Sequence, residues 1–189
     1  MVNNKIGYAC INMALSYPTK YGNKPRGTQP ITTNRSMIKR TFEDKGVDYA
    51  SELILQNVKD LNQIISWNVI NGYDFYRMSS DITPWKTEYE WDDLKDIEQI
   101  RQWFHSAGTM ATTHGIRLTT HPGPFNVLVS PHDHVVDNCV KDLTIHGDVM
   151  DMMGLSRTPY NKINIHLGGV YGDKESAMDR FCKNFYKLP

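Results

Sequence analysis

Two stretches decide the fold: Ile116-Arg117-Leu118-Thr119-Thr120-His121-Pro122-Gly123 and, further on, Lys162-Ile163-Asn164-Ile165-His166-Leu167-Gly168-Gly169. The first reads as a strand over Ile116–Thr120, and the second as a strand over Lys162–Leu167. Each run delivers a histidine and is then broken by Pro or Gly. Between them Val135, Val136, Cys139, Val140, Leu143 and Met150 recur at helical spacing. Ser130-Pro131 ahead of that helix reads as its N-cap and first helical residue. A strand, a helix and a second strand of this length make a crossover unit, which calls for parallel pairing.

Working outward, the pattern repeats. Lys5–Cys10 is a β-prone run, followed by a long loop from about Ile11 to Val47 with Pro18, Gly22, Pro25, Gly27 and Pro30 as breakers. From Asp48 the spacing of Ala50, Leu53, Ile54, Leu61, Ile64, Ile65 and Val69 predicts a helix ended by Asn71-Gly72. Tyr73–Met78 reads as a strand. Asp92–His114 reads as a helix with Leu94, Ile97, Ile100, Phe104 and Ala107 inward, weakened at Gly108. A last helix is expected over Asp173–Tyr186. The chain is therefore expected to be one α/β domain, residues 1–189, of four βα units. An open flavodoxin-like sheet is one home for four such units. The other is a (β/α)8 TIM barrel, which takes about 250 residues. In that case the chain holds only the first four units, as a half-barrel or truncated barrel, a reading that the closing KNFYKLP fits. Open strand edges of that kind invite self-association.

Composition narrows the function classes. A chain of 189 residues with 40% hydrophobic content can build a real core. Lys+Arg and Asp+Glu both number 21, so a nucleic-acid binder would have to concentrate its positive charge locally. Cys10, Cys139 and Cys182 are far apart and odd in number, which disfavours a disulfide framework or a cysteine zinc site. No apolar run approaches a membrane span, and MVNNKIGYAC lacks a signal-peptide core; a cytoplasmic protein with no membrane partner is expected. No GxGxxG, GxxxxGK[ST] or GxSxG motif supports a nucleotide-cofactor or α/β-hydrolase reading.

Chemistry in parallel α/β folds sits at the carboxyl ends of the strands. Two successive strands present His121 and His166 there. Neighbouring strands lie about 4.8 Å apart, so the two imidazoles could share or bridge metal ions. The same residues could equally be packed and hydrogen-bonded at the mouth. Asp81, after the second strand, is a weaker candidate for that mouth. His132 and His134 are spaced to face different ways on a helix, and His105, His114 and His146 read as surface or boundary residues. The first loop carries seven basic residues between Lys20 and Lys45, among them Arg35, Lys39 and Arg40, opposed only by Glu43 and Asp44. Such a loop could hold a DNA backbone, although charge clusters are more often simply solvated.

The motifs Gly7-Tyr8-Ala9-Cys10-Ile11-Asn12, Thr32-Thr33-Asn34-Arg35, Tyr76-Arg77-Met78-Ser79-Ser80, His121-Pro122-Gly123 and His166-Leu167-Gly168-Gly169-Val170-Tyr171-Gly172-Asp173-Lys174 come in a familiar order and spacing. In these the chain resembles the UV damage endonuclease family, from its first strand to its last helix. The resemblance implies a barrel that nicks double-stranded DNA 5′ of UV photoproducts by metal-assisted phosphodiester hydrolysis, with divalent ions, typically manganese. It implies metal ligation by His121 and His166, and lesion or DNA contact by Tyr8 and Asn12. The two residues after HPG form a probe pair in the family, usually Gln and Tyr, that wedges into the duplex; here they are Pro124 and Phe125. Phe125 can still stack on a base, whereas Pro124 cannot reproduce a glutamine's hydrogen bonds. The family's carboxylate ligands belong to strands that this sequence does not contain. Two alternatives stay open. One is a non-catalytic half-barrel that needs a partner chain or self-association. The other is a related barrel endonuclease acting at abasic sites.

Overall fold

The computed structural model describes residues 6–189, so Lys5 of the expected first strand lies outside the described residues. Three parallel strands form one sheet in the order β1-β2-β3: β1 Gly7–Ala9, β2 Phe75–Met78 and β3 Arg117–Thr120. The register pairs Ala9 with Arg77 and Arg77 with Thr119. Between strands run α1 Met13–Ser16, α2 Lys39–Asn71 and α3 Ile97–Thr113; α4 Asp133–Met152 and α5 Lys174–Phe185 come after β3. The α/β class and the parallel pairing match the sequence pattern.

Alternation along the strands separates two faces. Tyr76, Met78 and Leu118 are buried against Ile54, Leu61 and Ile65 of α2, Ile100 and Phe104 of α3, and Val149 and Met153 of α4 and its C-cap. The opposite face carries Ala9, Arg77 and Thr119. Gly108, unfavourable in a helix on propensity alone, sits where a Cβ would stand 1.8 Å from the Met153 carbonyl oxygen. Close approach of two chain segments is what that glycine provides, and α3 runs through it unbroken.

Four expectations are corrected. The helix expected from Asp48 begins at Lys39 and is kinked at Gly46, whose φ is 66°. Its first segment is polar and carries no apolar stripe, so periodicity could not reveal it. Lys39 and Arg40 therefore lie on a helical turn and not in a loop. The second helix begins at Ile97, because Glu90 and Asp93 cap each other around a separate 3-10 turn at Trp91–Asp93. The α4 helix begins at Asp133 with His132 as N-cap; the Ser130 hydroxyl instead accepts from the His132 amide at 3.2 Å. Finally, Lys162–Leu167 is not a strand. The Thr120 amide donates to the Lys162 carbonyl and the Asn164 amide donates to that of Thr120, leaving a single bridge between Thr120 and Ile163. Beyond Thr120 the would-be neighbour is His121-Pro122, and proline has no N–H with which to continue a ladder.

Candidate functional site at the strand ends

His121 comes directly after β3, and the bridge at Ile163 brings the next segment alongside, so that His166 arrives at the same end of the sheet. The two imidazoles meet with ring centroids 4.5 Å apart and planes inclined at 51°. What holds the second histidine there is the turn after it. Gly168 has φ +89°, and a Cβ on it would fall 2.6 Å from Val127 Cγ1 and 2.9 Å from Val129 Cγ2. Only glycine combines that backbone with that approach. The α5 helix holds the stretch that Gly168 packs against: Arg180 Nε donates to the Val129 carbonyl and Asn184 Nδ2 to that of Leu128, both at 2.8 Å. Burial lowers the His121 pKa below its usual value, helped by the Arg77 cation and by His166. A neutral imidazole is the form that ligates a metal.

The HPG turn shapes a second feature. Phe125 is 77% exposed, and its ring lies over Gly123, where a Cβ would fall 2.3 Å from Cζ. Buried Asn126 fixes the loop by donating to the Gly123 carbonyl at 3.2 Å and to Asp142 Oδ2 at 2.7 Å. Asp142 Oδ2 also stands 3.8 Å from His146 Nε2, and His146 Nδ1 is 3.1 Å from the Thr120 hydroxyl. Thus His146 bonds the residue just before His121 and lies beside Asp142, which holds the loop that presents Phe125. His146 is buried, against the surface position expected for it. Its pKa is pushed down by burial, which outweighs the raising influence of Asp142 and Asp81. Asp81, exposed, lines the same cleft as His146, Asp142, Gly123 and Phe125.

The other expected site residues have definite surroundings. The Tyr8 hydroxyl donates to Asn68 Oδ1 at 2.6 Å and accepts from Asn12 Nδ2 at 2.7 Å. Asn12 is buried and caps α1 through the Leu15 amide. Tyr8 packs edge-on against Trp67 and Tyr73, on the helix-covered side of the sheet. These two residues brace the turn after β1. Arg35 is clamped: its guanidinium donates to Asp60 Oδ2 at 2.7 Å and to the carbonyls of Thr32 and Pro30. Asp60 is 2% exposed, and a buried carboxylate demands such partners. Arg35 thus fastens the first loop to α2. Lys39 is paired with Glu43 at 3.7 Å, while Arg40 is exposed, as are Lys20, Lys24 and Arg26 earlier in the loop. Pro124 is exposed beside Phe125.

Sequence reasoning missed Arg77, Asp142 and His146. Arg77 stood in a quoted motif without a role, and the only available signal was its place at the end of a strand. For Asp142 and His146 the signal was their i, i+4 spacing on the face of α4 that turns toward Thr120. As to metal, His121 and His166 supply two nitrogen donors. Among the described residues, no group of three or more His, Cys, Asp or Glu is placed to hold an ion. A hard ion such as manganese prefers oxygen ligands, so this pair is an incomplete site for it.

The fold and site thus define an α/β protein with paired histidines and an exposed aromatic loop at the carboxyl ends of parallel strands. The family described as UV-endonuclease UvdE matches residues 4–189, and the chain belongs to that family. A relative from Acanthamoeba polyphaga mimivirus, named a putative UV-damage endonuclease, is 34% identical over 186 residues, covering 98% of this chain and 53% of the relative. The UV DNA damage endonuclease of Bacillus mycoides is 33% identical over 167 residues, covering 87% of this chain and 50% of that protein. The solved structure titled SacUVDE superposes with a TM-score of 0.77 at 25% identity, over 98% of this chain and 56% of that one. The chain spans about half the length of these relatives. Among the described residues, no helix is long and apolar enough to cross a membrane.

Proposed function

We propose that this chain takes part in nicking double-stranded DNA beside UV photoproducts, through the site at the strand ends. The observation that carries the reading is the 4.5 Å pairing of His121 and His166 beside the exposed Phe125. Phe125 would act as a wedge at the lesion, the role a base-flipping enzyme requires of an exposed apolar side chain. His121 and His166 would be two ligands of a divalent cation, manganese by family resemblance, with oxygen donors from outside the described residues. When bound, such an ion polarises a phosphate and lowers the pKa of a water. Exposed Arg40, Lys20, Lys24 and Arg26 would attract the DNA backbone, a contribution that weakens as salt rises.

A TIM-type barrel is the architecture we propose around this site, with the described strands as consecutive members of its wall. The rest of the wall would come from outside residues 1–189, and a second copy of this chain or a complementary one could supply it. That reading is favoured by exposed Leu167 and Val170 beside the site and Met178 on α5, at 66%, 53% and 58% exposure.

The test is nicking of supercoiled plasmid that is unirradiated, UV-irradiated or made abasic, in manganese and then in EDTA, with the mass in solution measured in parallel. Damage-dependent nicking that manganese supports and EDTA abolishes is expected. Preference for abasic plasmid would move the substrate to the alternative class. No nicking by a folded chain would count against activity of this polypeptide alone.

A further inference from the structure

Arg77, at the end of β2, has no counter-charge among the described residues. Arg77 is the last but one residue of β2, registered between Ala9 and Thr119 on the face away from the helices. Its Nε is shut off from solvent and has no hydrogen-bond partner. The Thr119 hydroxyl, on the adjacent strand at the same register, is also shut off and unpartnered; Thr119 is 1% exposed. Among the described residues no carboxylate forms an ion pair with Arg77, nor with Arg117 or Arg180, whereas Arg35, Arg101 and Arg157 each have one.

Buried polar atoms are nearly always paired, and an exception calls for an explanation. Two exceptions at one register, on neighbouring strands about 4.8 Å apart, point to one missing acceptor. Its chemistry comes from the donors. The Nε–H edge of a guanidinium with its neighbouring N–H forms a planar fork that fits two oxygens of one oxyanion. A hydroxyl beside it can give a third hydrogen bond. The position selects among oxyanions. Arg77 lies one residue from the carboxyl end of its strand, where parallel α/β folds bind their ligands, and its charge is felt by His121. Arg77 as a residue is only half-buried, whereas its Nε and the Thr119 hydroxyl are covered, so an anion that bonds them has to displace what covers them as it enters from the mouth.

We propose that Arg77 and Thr119 form a phosphodiester subsite that seats one backbone phosphate of the DNA strand next to the His121–His166 pair. This rests on the nucleic-acid reading above and adds to it the residues that locate the strand. The competing occupant, a protein carboxylate, is distinguished by the test.

The direct experiment is nitrogen-15 NMR of the arginine Nε–H groups in the unaltered 189-residue chain, in EDTA, with the Arg77 signal assigned by its loss in Arg77→Lys. Dimethyl phosphate should shift the Arg77 Nε–H saturably, and acetate at equal ionic strength should not. In parallel, Arg77→Gln should weaken binding of a short duplex about tenfold and lower the slope of log affinity against log salt by about one. Thr119→Val should weaken binding by a smaller factor with the slope unchanged. A shift with acetate and none with dimethyl phosphate would overturn the proposal in favour of a protein carboxylate. Silence to both would make Arg77 structural. If the unaltered chain fails to bind duplex while dimethyl phosphate still shifts Arg77, the subsite stands and the nucleic-acid reading falls.

Discussion

The two faces of the small sheet obey different rules. On the helix-covered face, Tyr76, Met78 and Leu118 are at most 1% exposed, and the Tyr76 hydroxyl is satisfied by the Cys10 carbonyl at 2.8 Å. On the other face Arg77 and Thr119 hold polar atoms that nothing satisfies, and the strands lead to two histidines in ring contact. On the proposed reading, stability and function are thereby kept apart within one sheet. The covered face holds the fold, and its unpartnered atoms, Asn62 Oδ1 and Asn68 Nδ2, lie on α2 and not on the strands. The other face keeps hydrogen-bonding capacity unspent, which costs stability and is useful only if a ligand supplies the partners.

The largest effect that could undo this contrast comes from the covered face. Phe104→Ala should cost about 3–5 kcal/mol by removing a fully buried ring. Arg77→Gln, on the open face, should change stability by no more than about 0.5 kcal/mol, because no ion pair in the fold is lost. Urea denaturation of both variants checks the pair. Comparable losses would mean that the open face is part of the core.

Next is the support of the histidine pair. Gly168→Ala puts a Cβ where Val127 and Val129 stand, at a φ that alanine resists, and should cost about 1–3 kcal/mol. Its sharper signature is separation of His166 from His121, read as loss of cross-relaxation between the two rings by NMR. A destabilised variant whose rings still touch would show that the turn does not position His166.

The expected pH response has a definite sign. His146 and His121 have lowered pKa values in the folded chain, so below the ordinary histidine value of 6.5 the unfolded chain binds more protons than the folded one. Stability is therefore full above about pH 6.5 and falls as pH drops through and below it. Asp142, Asp81 and His121 are the charged groups that act on His146. Melting temperatures should hold between about pH 8 and pH 7 and decline from about pH 6.5 to pH 5, and His146→Gln should flatten part of the decline. An unchanged slope would show that His146 contributes nothing to it.

The smallest effect concerns the aromatic loop. Asp142→Ala deletes the acceptor of Asn126 and should cost about 1 kcal/mol. With Phe125→Trp as reporter, it should also broaden the tryptophan's fluorescence anisotropy decay. Unchanged decay would show that the loop is fixed without Asp142.

Periodicity and chain breakers made part of this fold legible in the sequence. The parallel α/β order, the strands around Tyr76 and Leu118, and the stripes of α2 and α3 all announce themselves through spacing. The pairing of His121 and His166 was readable because both close β-prone runs. Features fixed by tertiary contact were not readable. The polar first segment of α2 has no stripe, so Lys39 and Arg40 looked like loop residues. Arg35 looked like a free cation because its partner, Asp60, is 25 residues away on α2. His146 looked like a boundary residue because its Thr120 contact crosses elements. The expected fourth strand failed because a β-prone sequence still needs a neighbour able to extend the ladder, and His121-Pro122 cannot.

If the two histidines at the open end of the sheet form one functional centre, removing either should abolish its output. The decisive experiment is manganese-dependent nicking of UV-irradiated plasmid by the unaltered chain, His121→Ala and His166→Ala, over a concentration range that covers self-association. Nicking by the unaltered chain is expected, with a loss of at least about a hundredfold in either variant and folding retained by circular dichroism. Nicking by both variants at the unaltered rate, or no nicking by a folded unaltered chain at any concentration, would refute the single centre.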